Sequence, residues 1–521
     1  MDERTAPSMD DARVVLAEHF GYQSFRPGQE RIIEAALAGK DSLAVMPTGS
    51  GKSVCYQVPA ALFDGLTIVV SPLISLMADQ VRALKEAGLR GSFFNSTLKP
   101  RVRPEVLRRA LAGWYDIMYV APERLSDPAF REFAAQANIP LVAVDEAHCV
   151  SQWGQDFRPS YQLIADFVDS LPVRPPVMAL TATATARVRT DISVLLNLRK
   201  PVVQISGFDR PNLRFAAFEL TPKKRKQWLA NYVRAHTDEP GIVYAMTRKK
   251  VEQLAQLLCD EGIEAVAYHA GMSDEARSKA QHAFVHDDAT VLVATTAFGM
   301  GIDKSNVRYV INCGLPLSLE EYYQEAGRAG RDGEPAECYL LWSRGDIRTC
   351  HFFIDNTEAD GLSNEALRQV LASKERLLGE MIGYAMSDVC LRRRMLRYFG
   401  QDVRDLADGC GNCSVCDGEK ASRYLASERR AKADRCIRHL REEDDFPPHE
   451  DDEELFARLR ALRKELADAQ GVPPYVVFSD ATLRGMVRRR PTTPEQLLEV
   501  TGVGNVKLER YGRAFLEVLT S

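Results

Sequence analysis

Asp145-Glu146-Ala147-His148 follows the apolar run Leu141-Val142-Ala143-Val144, which places two adjacent carboxylates at the end of a strand. One carboxylate that holds a metal beside one that polarises water is what hydrolysis of a nucleoside triphosphate requires. The order assigns Asp145 to Mg2+, directly or through water, and Glu146 to the attacking water. A phosphate cradle is present upstream in Met46-Pro47-Thr48-Gly49-Ser50-Gly51-Lys52-Ser53. Gly49 and Gly51 let backbone N–H groups turn toward phosphate oxygens, with Thr48 and Ser50 in the same cofactor-binding turn. Lys52 neutralises the β/γ charge, and Ser53 is a Mg2+ ligand. Met46 stands where such loops usually have their first glycine. A bare glycine turn before a helix is the plain alternative, but a strand precedes this one and an acidic pair follows it.

Directly after the acidic pair, Ser151-Gln152-Trp153-Gly154-Gln155-Asp156-Phe157-Arg158-Pro159 sets two aromatics beside an arginine. A base stacked on an aromatic face gains ~1–3 kcal/mol, so Trp153 and Phe157 are candidate platforms for single-stranded nucleic acid. Ser151, Gln152 and Arg158 are candidate contacts around them, and Asp156 with Arg158 is a candidate relay to the acidic pair. Core packing is the alternative for Phe157. Further on, Tyr322-Tyr323-Gln324-Glu325-Ala326-Gly327-Arg328-Ala329-Gly330-Arg331-Asp332-Gly333 carries Gln324 and two arginines three apart, which share one face of a helical turn. Alone it reads as a surface helix. Beside a phosphate loop, Arg328 or Arg331 becomes a candidate arginine finger.

The elements that position these groups are apolar strands ending in polar motifs. Ser42–Val45, Thr67–Val70, Leu141–Val144 and Val177–Leu180 each stop at such a motif. Continuous apolar strands separated by helical stretches predict a parallel sheet buried on both faces, with ligands at its carboxyl edge. The pattern returns after about residue 207 with Gly241–Tyr244, Val291–Ala294 and Tyr309–Asn312, and helical stretches such as Lys249–Asp260 between them. This second lobe has no phosphate loop, so the expected site closes across a cleft.

Composition sets the outer bounds. A chain of 521 residues predicts three or four domains. Hydrophobic content of 45% and charged content of 27% fit a soluble globular protein. No apolar run approaches the ~20 residues of a membrane span, and the polar N-terminus lacks a signal pattern, so a cytoplasmic protein is expected. A net charge of −5 argues against holding nucleic acid by bulk charge, though a few placed cations suffice for phosphate contacts. The 11 cysteines are too few for a disulfide scaffold, but Cys390, Cys410, Cys413 and Cys416 are grouped as C-x19-C-x2-C-x2-C. That spacing suits tetrahedral Zn2+ thiolate ligation, with a redox pair as the alternative, and a closed four-thiolate site has a folding role. Arg392, Arg393, Arg394 and Arg397 make the intervening helix basic and are candidate DNA contacts.

These motifs together resemble the RecQ-type DNA helicases of superfamily 2, over roughly residues 10–420 with a separate C-terminal match. Phe20-Gly21-Tyr22, Phe25-Arg26 and Gln29 resemble the family's adenine-recognition motif. The resemblance implies that Gln29 reads the base edge, Tyr22 stacks on the ring and Arg26 lies near the nucleotide. Ser71–Gln80, Tyr119–Leu125, Ala179–Ala184, Gly241–Arg248 and Val293–Asp303 then fill the remaining helicase motifs. Ser151–Pro159 resembles the family's aromatic-rich loop, which couples DNA binding to ATP hydrolysis, although some relatives have histidine in place of Gln155. A zinc module with this cysteine order stands at the same point in the family.

The resemblance implies an α/β fold of two RecA-like parallel-sheet lobes, 1–206 and 207–343, and a small helical zinc-binding module, 344–420. A charged linker over 421–452 and an all-α HRDC-like domain over 453–521 follow. About three dozen residues separate Asp417 from Asp452, where a winged helix of about 100 would stand, so that domain is expected to be absent. In the last segment Leu455, Phe456, Leu459 and Leu462 recur at helical spacing, as do Thr482-Leu483 and Met486-Val487. Gly502-Val503-Gly504 leads to Lys507 and Arg510, a candidate phosphate-binding turn, while a protein contact is equally open for this domain.

The expected activity is ATP- and Mg2+-dependent unwinding of DNA in recombination, repair or replication-fork processing; the 3′ to 5′ direction comes from the resemblance. Expected partners are single-stranded and tailed or forked duplex DNA and a single-strand-binding protein, for a monomer without membrane contact in a bacterial, nucleoid-associated setting. The rivals are an RNA helicase, an ATP-switched scaffold, and a translocase that unwinds poorly without a winged helix.

Overall fold

The structure is a computed structural model that describes residues 7–72, 74–154, 156–296, 304–357, 363–425, 451–504 and 507–520. Gln155, most of the Val293–Asp303 stretch and most of the expected linker lie outside the described residues. The chain forms two compact units. One comprises Met1–Asp209 with Phe353–Gly379 and Met395–Asp405; the other comprises Arg210–Phe352 with Glu380–Arg394 and Leu406–Ser521.

The first unit holds β1 (Ser42–Val45), β2 (Thr67–Val70), β3 (Gly91–Phe94), β4 (Ile117–Val120), β5 (Val142–Val144), β6 (Val177–Thr181) and β7 (Val202–Ile205). They form a parallel sheet in the order β3-β4-β2-β5-β6-β1-β7. Every residue of β1, β2, β4, β5 and β6 is buried, which is why these strands read as unbroken apolar runs. The order sets β6 between β5 and β1. The acidic pair after β5, the threonines after β6 and the phosphate loop after β1 are therefore neighbours at one sheet edge.

At the opposite edge a buried carboxylate ties the strands. Asp41 accepts from Val177 N at 2.8 Å and Arg199 N at 2.6 Å, and pairs with the Arg174 guanidinium at 2.8 Å. Its two backbone donors lie just before β7 and at the first residue of β6, so one side chain sets the start of both strands around β1.

The second unit holds β8 (Leu213–Glu219), β9 (Gly241–Ala245), β10 (Ala265–Tyr268), β11 (Val291–Ala294), β12 (Tyr309–Cys313) and β13 (Ala336–Trp342). This sheet is also parallel, in the order β10-β11-β9-β12-β13-β8. Aromatics fill one side of it: Trp228 stacks on Tyr232 at 5.1 Å, and Tyr309, Tyr339 and Tyr424 meet Tyr232 edge-on at 5.0–5.2 Å. Gly241 opens β9 because any side chain there would enter the Tyr309 ring.

Two helical expectations change. The helix that carries Gln324 spans Leu319–Ala326 and is capped at Gly327, so Arg328 and Arg331 lie in the turn beyond it, not on a helical face. Gly330, at φ +54°, sets that turn. The basic helix of the zinc region spans Leu391–Tyr398, but Arg392 is buried and donates to the carbonyls of Arg210 at 2.8 Å and of Leu213. It is spent on packing, not on DNA.

The C-terminal helices Asp452–Gln470, Asp480–Arg489 and Arg513–Thr520 close on a core that includes Leu459, Phe478, Met486, Leu497 and Phe515. Among the described residues no helix is long and apolar enough to cross a membrane.

Removing the Asp41 carboxylate strands two backbone donors and takes the nearer of two carboxylates from the Arg174 guanidinium, which keeps Asp169 at 3.6 Å. Asp41→Ala is expected to destabilise the first unit by about 3–5 kcal/mol, read as a lowered midpoint for that unit in thermal unfolding. Unchanged melting would show that the carboxylate does not hold the strands.

Candidate nucleotide, nucleic-acid and zinc sites

The phosphate loop is shaped by two left-handed glycines, Gly49 at φ +82° and Gly51 at φ +78°. Its Ser53 end leads into the helix Val54–Leu62, whose N-terminus favours anionic groups. The carbonyls of the loop are gripped from the adjacent turn. Gln29 Nε2 donates to Ser50 O at 3.1 Å and Gly51 O at 3.0 Å, and the Arg26 guanidinium donates to Gly49 O. Arg26 N in turn donates to Gln29 Oε1 at 2.8 Å. Tyr22 is exposed, with the Arg26 guanidinium 6.0 Å from its ring centre. Gln29 thus joins the turn that carries the expected base-reading residues to the phosphate cradle. Lys52 Nζ donates to Met46 O at 3.2 Å.

Asp145 is placed by a backbone bond to Val70 O at 2.8 Å and by the Tyr161 hydroxyl, which donates to its carbonyl at 2.8 Å. Glu146 sits at φ +46°, ψ +46°, a left-handed geometry that a non-glycine residue adopts at a cost of order 1–3 kcal/mol. Burial, and then the neighbouring Glu146, push the Asp145 carboxyl up to about 7, with Lys52 opposing. A half-buried, mutually repelling carboxylate pair beside a lysine fits a divalent cation, which relieves that repulsion. Asp145 and Ser53 are the candidates that would hold Mg2+. His148, held down at about 4 chiefly by burial, is neutral at pH 7. Its Nδ1 lies 2.8 Å from Thr181 Oγ1 and 3.3 Å from Glu146 Oε2, so it joins the acidic pair to the end of β6.

The aromatic loop continues on the same backbone. Ser151 Oγ donates to Asp191 Oδ2 at 2.6 Å and accepts from Trp153 N at 3.1 Å. Gly154 N donates to Ser151 O at 3.0 Å, and a Cβ on Gly154 would stand 2.6 Å from His148 O. Arg158 pairs with Asp156 at 2.9 Å and donates to Pro72 O at 3.0 Å, which ties the loop to the segment after β2. Gln152, Trp153 and Phe157 are half-exposed. The sequence reading missed Arg187, whose guanidinium carbon lies 3.1 Å from the Trp153 ring centre. No spacing in the chain announces that contact, because Arg187 belongs to the helix after β6.

In the second unit the arginine-bearing turn is clamped from the start of β8. Arg210 donates to the carbonyls of Ala329 at 3.1 Å and Gly330 at 2.7 Å, and Asn212 donates to those of Gly330 and Glu334, each at 2.9 Å. Arg328 is buried beside Glu325 and Tyr244, and burial lowers its pKa; Arg331 and Gln324 are half-buried. Arg210 and Asn212 were also missed in sequence, since their partners lie more than a hundred residues away.

The sulfurs of Cys390, Cys410, Cys413 and Cys416 lie within 4.8 Å of one another. Four thiolates about 2.3 Å from one Zn2+ stand about 3.8 Å apart, so a small contraction completes the tetrahedron. Backbone N–H groups of Arg393 and Asn412 donate to Cys390 Sγ at 3.4 Å and Cys410 Sγ at 3.3 Å, as bound thiolates require. Gly409, at φ +101°, has no room for a side chain, since Cys416 Sγ would stand 2.8 Å from its Cβ. The cluster covers the open edge of the second sheet: Cys413 bridges Phe215 of β8, Ser414 N donates to Phe215 O at 2.9 Å, and Arg214 pairs with Asp417 at 2.6 Å.

Of the C-terminal candidates, Arg510 is exposed, whereas Lys507 is half-buried with its ammonium 5.5 Å from the Phe478 ring centre. Lys507 packs partly against Phe478, and Arg510 faces solvent.

Family models match the chain as DEAD/DEAH box helicase over 26–192, Helicase conserved C-terminal domain over 224–333, RecQ zinc-binding over 344–417 and HRDC domain over 452–519. The chain is 37% identical to the ATP-dependent DNA helicase RecQ of Bacillus subtilis, covering 97% of this chain and 98% of that one. It is 36% identical to the same-named protein of Pasteurella multocida, covering 100% and 95%. Solved structures share the fold at low identity. Dbp5 of S. cerevisiae, bound to RNA and ADP BeF3, superposes with a TM-score of 0.53 at 15% identity, covering 70% of this chain and 97% of that one. The DUF1998 helicase MrfA bound to DNA gives 0.55 at 17%, covering 71% and 55%.

The zinc geometry predicts one Zn2+ per chain by metal analysis. Cys413→Ala is expected to lose the metal and lower the melting midpoint of the second unit, because β8 loses its cover. Retention of zinc by that variant would move the site elsewhere.

Proposed function

Because the chain belongs to the RecQ family of ATP-dependent DNA helicases, we propose that it hydrolyses ATP to move 3′ to 5′ along single-stranded DNA and unwinds duplex ahead of it. The observation that carries this reading is continuity: the acidic pair, the neutral His148 and the aromatic loop occupy one uninterrupted segment, cross-tied to β6 at Thr181. A change at Trp153 therefore has a short path to the water-polarising Glu146, through Gly154 packed on His148 O.

In this mechanism Lys52 holds the β/γ-phosphate charge while the Gln29–Arg26 grip keeps the loop in its phosphate-binding shape. Bound Mg2+ would supply Lewis-acid charge on the phosphate oxygens. Glu146 orients the attacking water, and its left-handed backbone fixes the carboxylate direction. His148 remains neutral and is held at Thr181, with Nδ1 3.3 Å from Glu146 Oε2. Arg328 and Arg331, held in their turn by Arg210 and Asn212 with Gln324 alongside, are the arginine-finger candidates of this reading. A DNA base takes the Trp153 face in competition with Arg187, and Ser151, Gln152, Phe157 and Arg158 complete the grip.

The domain plan is read as two motor lobes over 1–206 and 207–343, the zinc module over 344–420, a linker over 421–452 and the HRDC-like domain over 453–521. A missing winged helix is supported by the alignment to the Bacillus subtilis relative. Its 591 aligned positions exceed by about 86 what 97% of a 521-residue chain supplies. We assign the protein to recombination, repair or fork processing as a monomer at the nucleoid, acting with a single-strand-binding protein.

The test is unwinding of a 3′-tailed duplex alongside DNA-stimulated ATP hydrolysis. Lys52→Ala is expected to abolish both. Trp153→Ala is expected to keep the DNA-free rate and weaken single-strand stimulation by roughly 5- to 150-fold, the equivalent of one lost stack of ~1–3 kcal/mol. Hydrolysis without strand separation would make the protein a translocase, and hydrolysis indifferent to DNA would end the motor reading.

A further inference from the structure

The helix Asp452–Gln470 has two working faces. Leu455, Leu459 and Ala467 are buried in the C-terminal core. Arg460, Arg463 and Lys464, at three- and four-residue spacing, instead reach the second sheet of the same unit. Arg460 donates to Asp238 O at 2.8 Å, and Lys464 pairs with Asp288 at 3.1 Å. Arg463 is fully buried and pairs with Asp480 at 2.5 Å and Asp287 at 3.7 Å. Asp287 also holds the buried Lys304, while Asn306 Nδ2 donates to Asp480 Oδ2 at 3.2 Å.

The residues met on the sheet lie at one edge: Asp238 precedes β9, Asp287 and Asp288 precede β11, and Lys304 and Asn306 precede β12. Charges removed from water this completely are tolerated only when partnered, and here the partners come from both sides. Burial would raise the Asp480 carboxyl, but Arg463, followed by Arg460 and Arg308, outweighs it and holds the group down at about 2. Asp480 therefore stays ionised between cations at neutral pH. The contact is matched in charge, and Lys304 and Asn306 directly follow Asp303, the end of the Val293–Asp303 helicase motif.

We propose that the C-terminal helical domain is a positioning module for the motor: through Arg463, Lys464 and Asp480 it fixes Asp287, Lys304 and Asn306, and so the residues that lead into β11 and β12. Its resident partner is the second lobe of its own chain. The effect on turnover rests on the helicase reading above; the docking does not.

The test uses the full-length, zinc-loaded protein. Asp287→Asn tolerates the left-handed φ of +62° but removes the charge that faces Lys304 and Arg463. It is expected to raise hydrogen exchange both in peptides of 452–470 and in those leading into β11 and β12. DNA-stimulated kcat should fall by at least about 5-fold, the lower end of ordinary intersite coupling, with the ATP KM unmoved. A second arm uses the exposed pair. Lys464→Glu should reproduce part of the loss, and Lys464→Glu with Asp288→Lys should restore both exchange and kcat. Exchange unchanged in every variant would overturn the docking. Raised exchange with unchanged kcat would overturn the positioning role. Failure of the charge swap to restore kcat would overturn it too. Absence of any DNA-stimulated turnover in the unaltered protein would instead strike the helicase reading and leave the exchange result intact.

Discussion

Two adjacent carboxylates held in a buried strand end, Asp145 and Glu146, are the constraint around which the first unit is organised. Like charges at such a place repel, and burial adds to the cost of keeping them ionised. The surrounding chain answers each part of that cost. Lys52 offsets the charge, the Tyr161 hydroxyl and Val70 O hold the Asp145 backbone, and a neutral His148, anchored at Thr181, lies beside Glu146. A rigid parallel sheet, buried on both faces, supplies the frame. Its order places β6 between the strands bearing the phosphate loop and the acidic pair, so His148 meets Thr181 without any long excursion of the chain.

The same constraint accounts for the aromatic loop. Glu146 adopts a left-handed backbone, the chain turns at once into Ala147–Val150, and Gly154 packs where no side chain fits, against His148 O. Trp153 is then neither core nor free surface. It lies under the Arg187 guanidinium, an arrangement stabilised by the ring's quadrupole and open to exchange for a stacked base. The loop shares its backbone with the acidic pair, which is the continuity on which the proposed coupling rests.

In the second unit the cost falls on edges and charges. Strand β8 ends the sheet and would present unpaired backbone groups; the cysteine cluster covers them, and Arg214 with Asp417 fastens the cover. At the amino-terminal edge the C-terminal helices contribute Arg463 and Asp480 to a buried charge network that neither side completes alone. Such networks add little net stability, but they define one geometry because every misfit leaves a bare charge.

Much of this was legible in the chain because local chemistry is written locally. The phosphate loop, the acidic pair, the cysteine quartet and the apolar strands each need particular residue types at short fixed spacings, and β1, β2 and β11 coincide with the runs read from sequence. What the chain could not disclose are pairings made across long separations. Arg187 over Trp153, Arg210 and Asn212 on the arginine turn, and Arg392 buried against β8 all join residues whose sequence neighbourhoods say nothing of each other. The helical periodicity around Arg328 also misled, because a glycine-capped helix end and a left-handed Gly330 override a spacing rule that holds only inside a helix. Lys507 shows the same limit: nothing in the glycine turn before it announces the Phe478 ring 5.5 Å from its ammonium. Sequence by itself determined which chemistry this protein carries, since catalysis and metal binding require particular functional groups. The tertiary structure alone decided which cations serve that chemistry and which are spent on holding the fold, because desolvation and partnering depend on what the folded chain brings within a few ångströms.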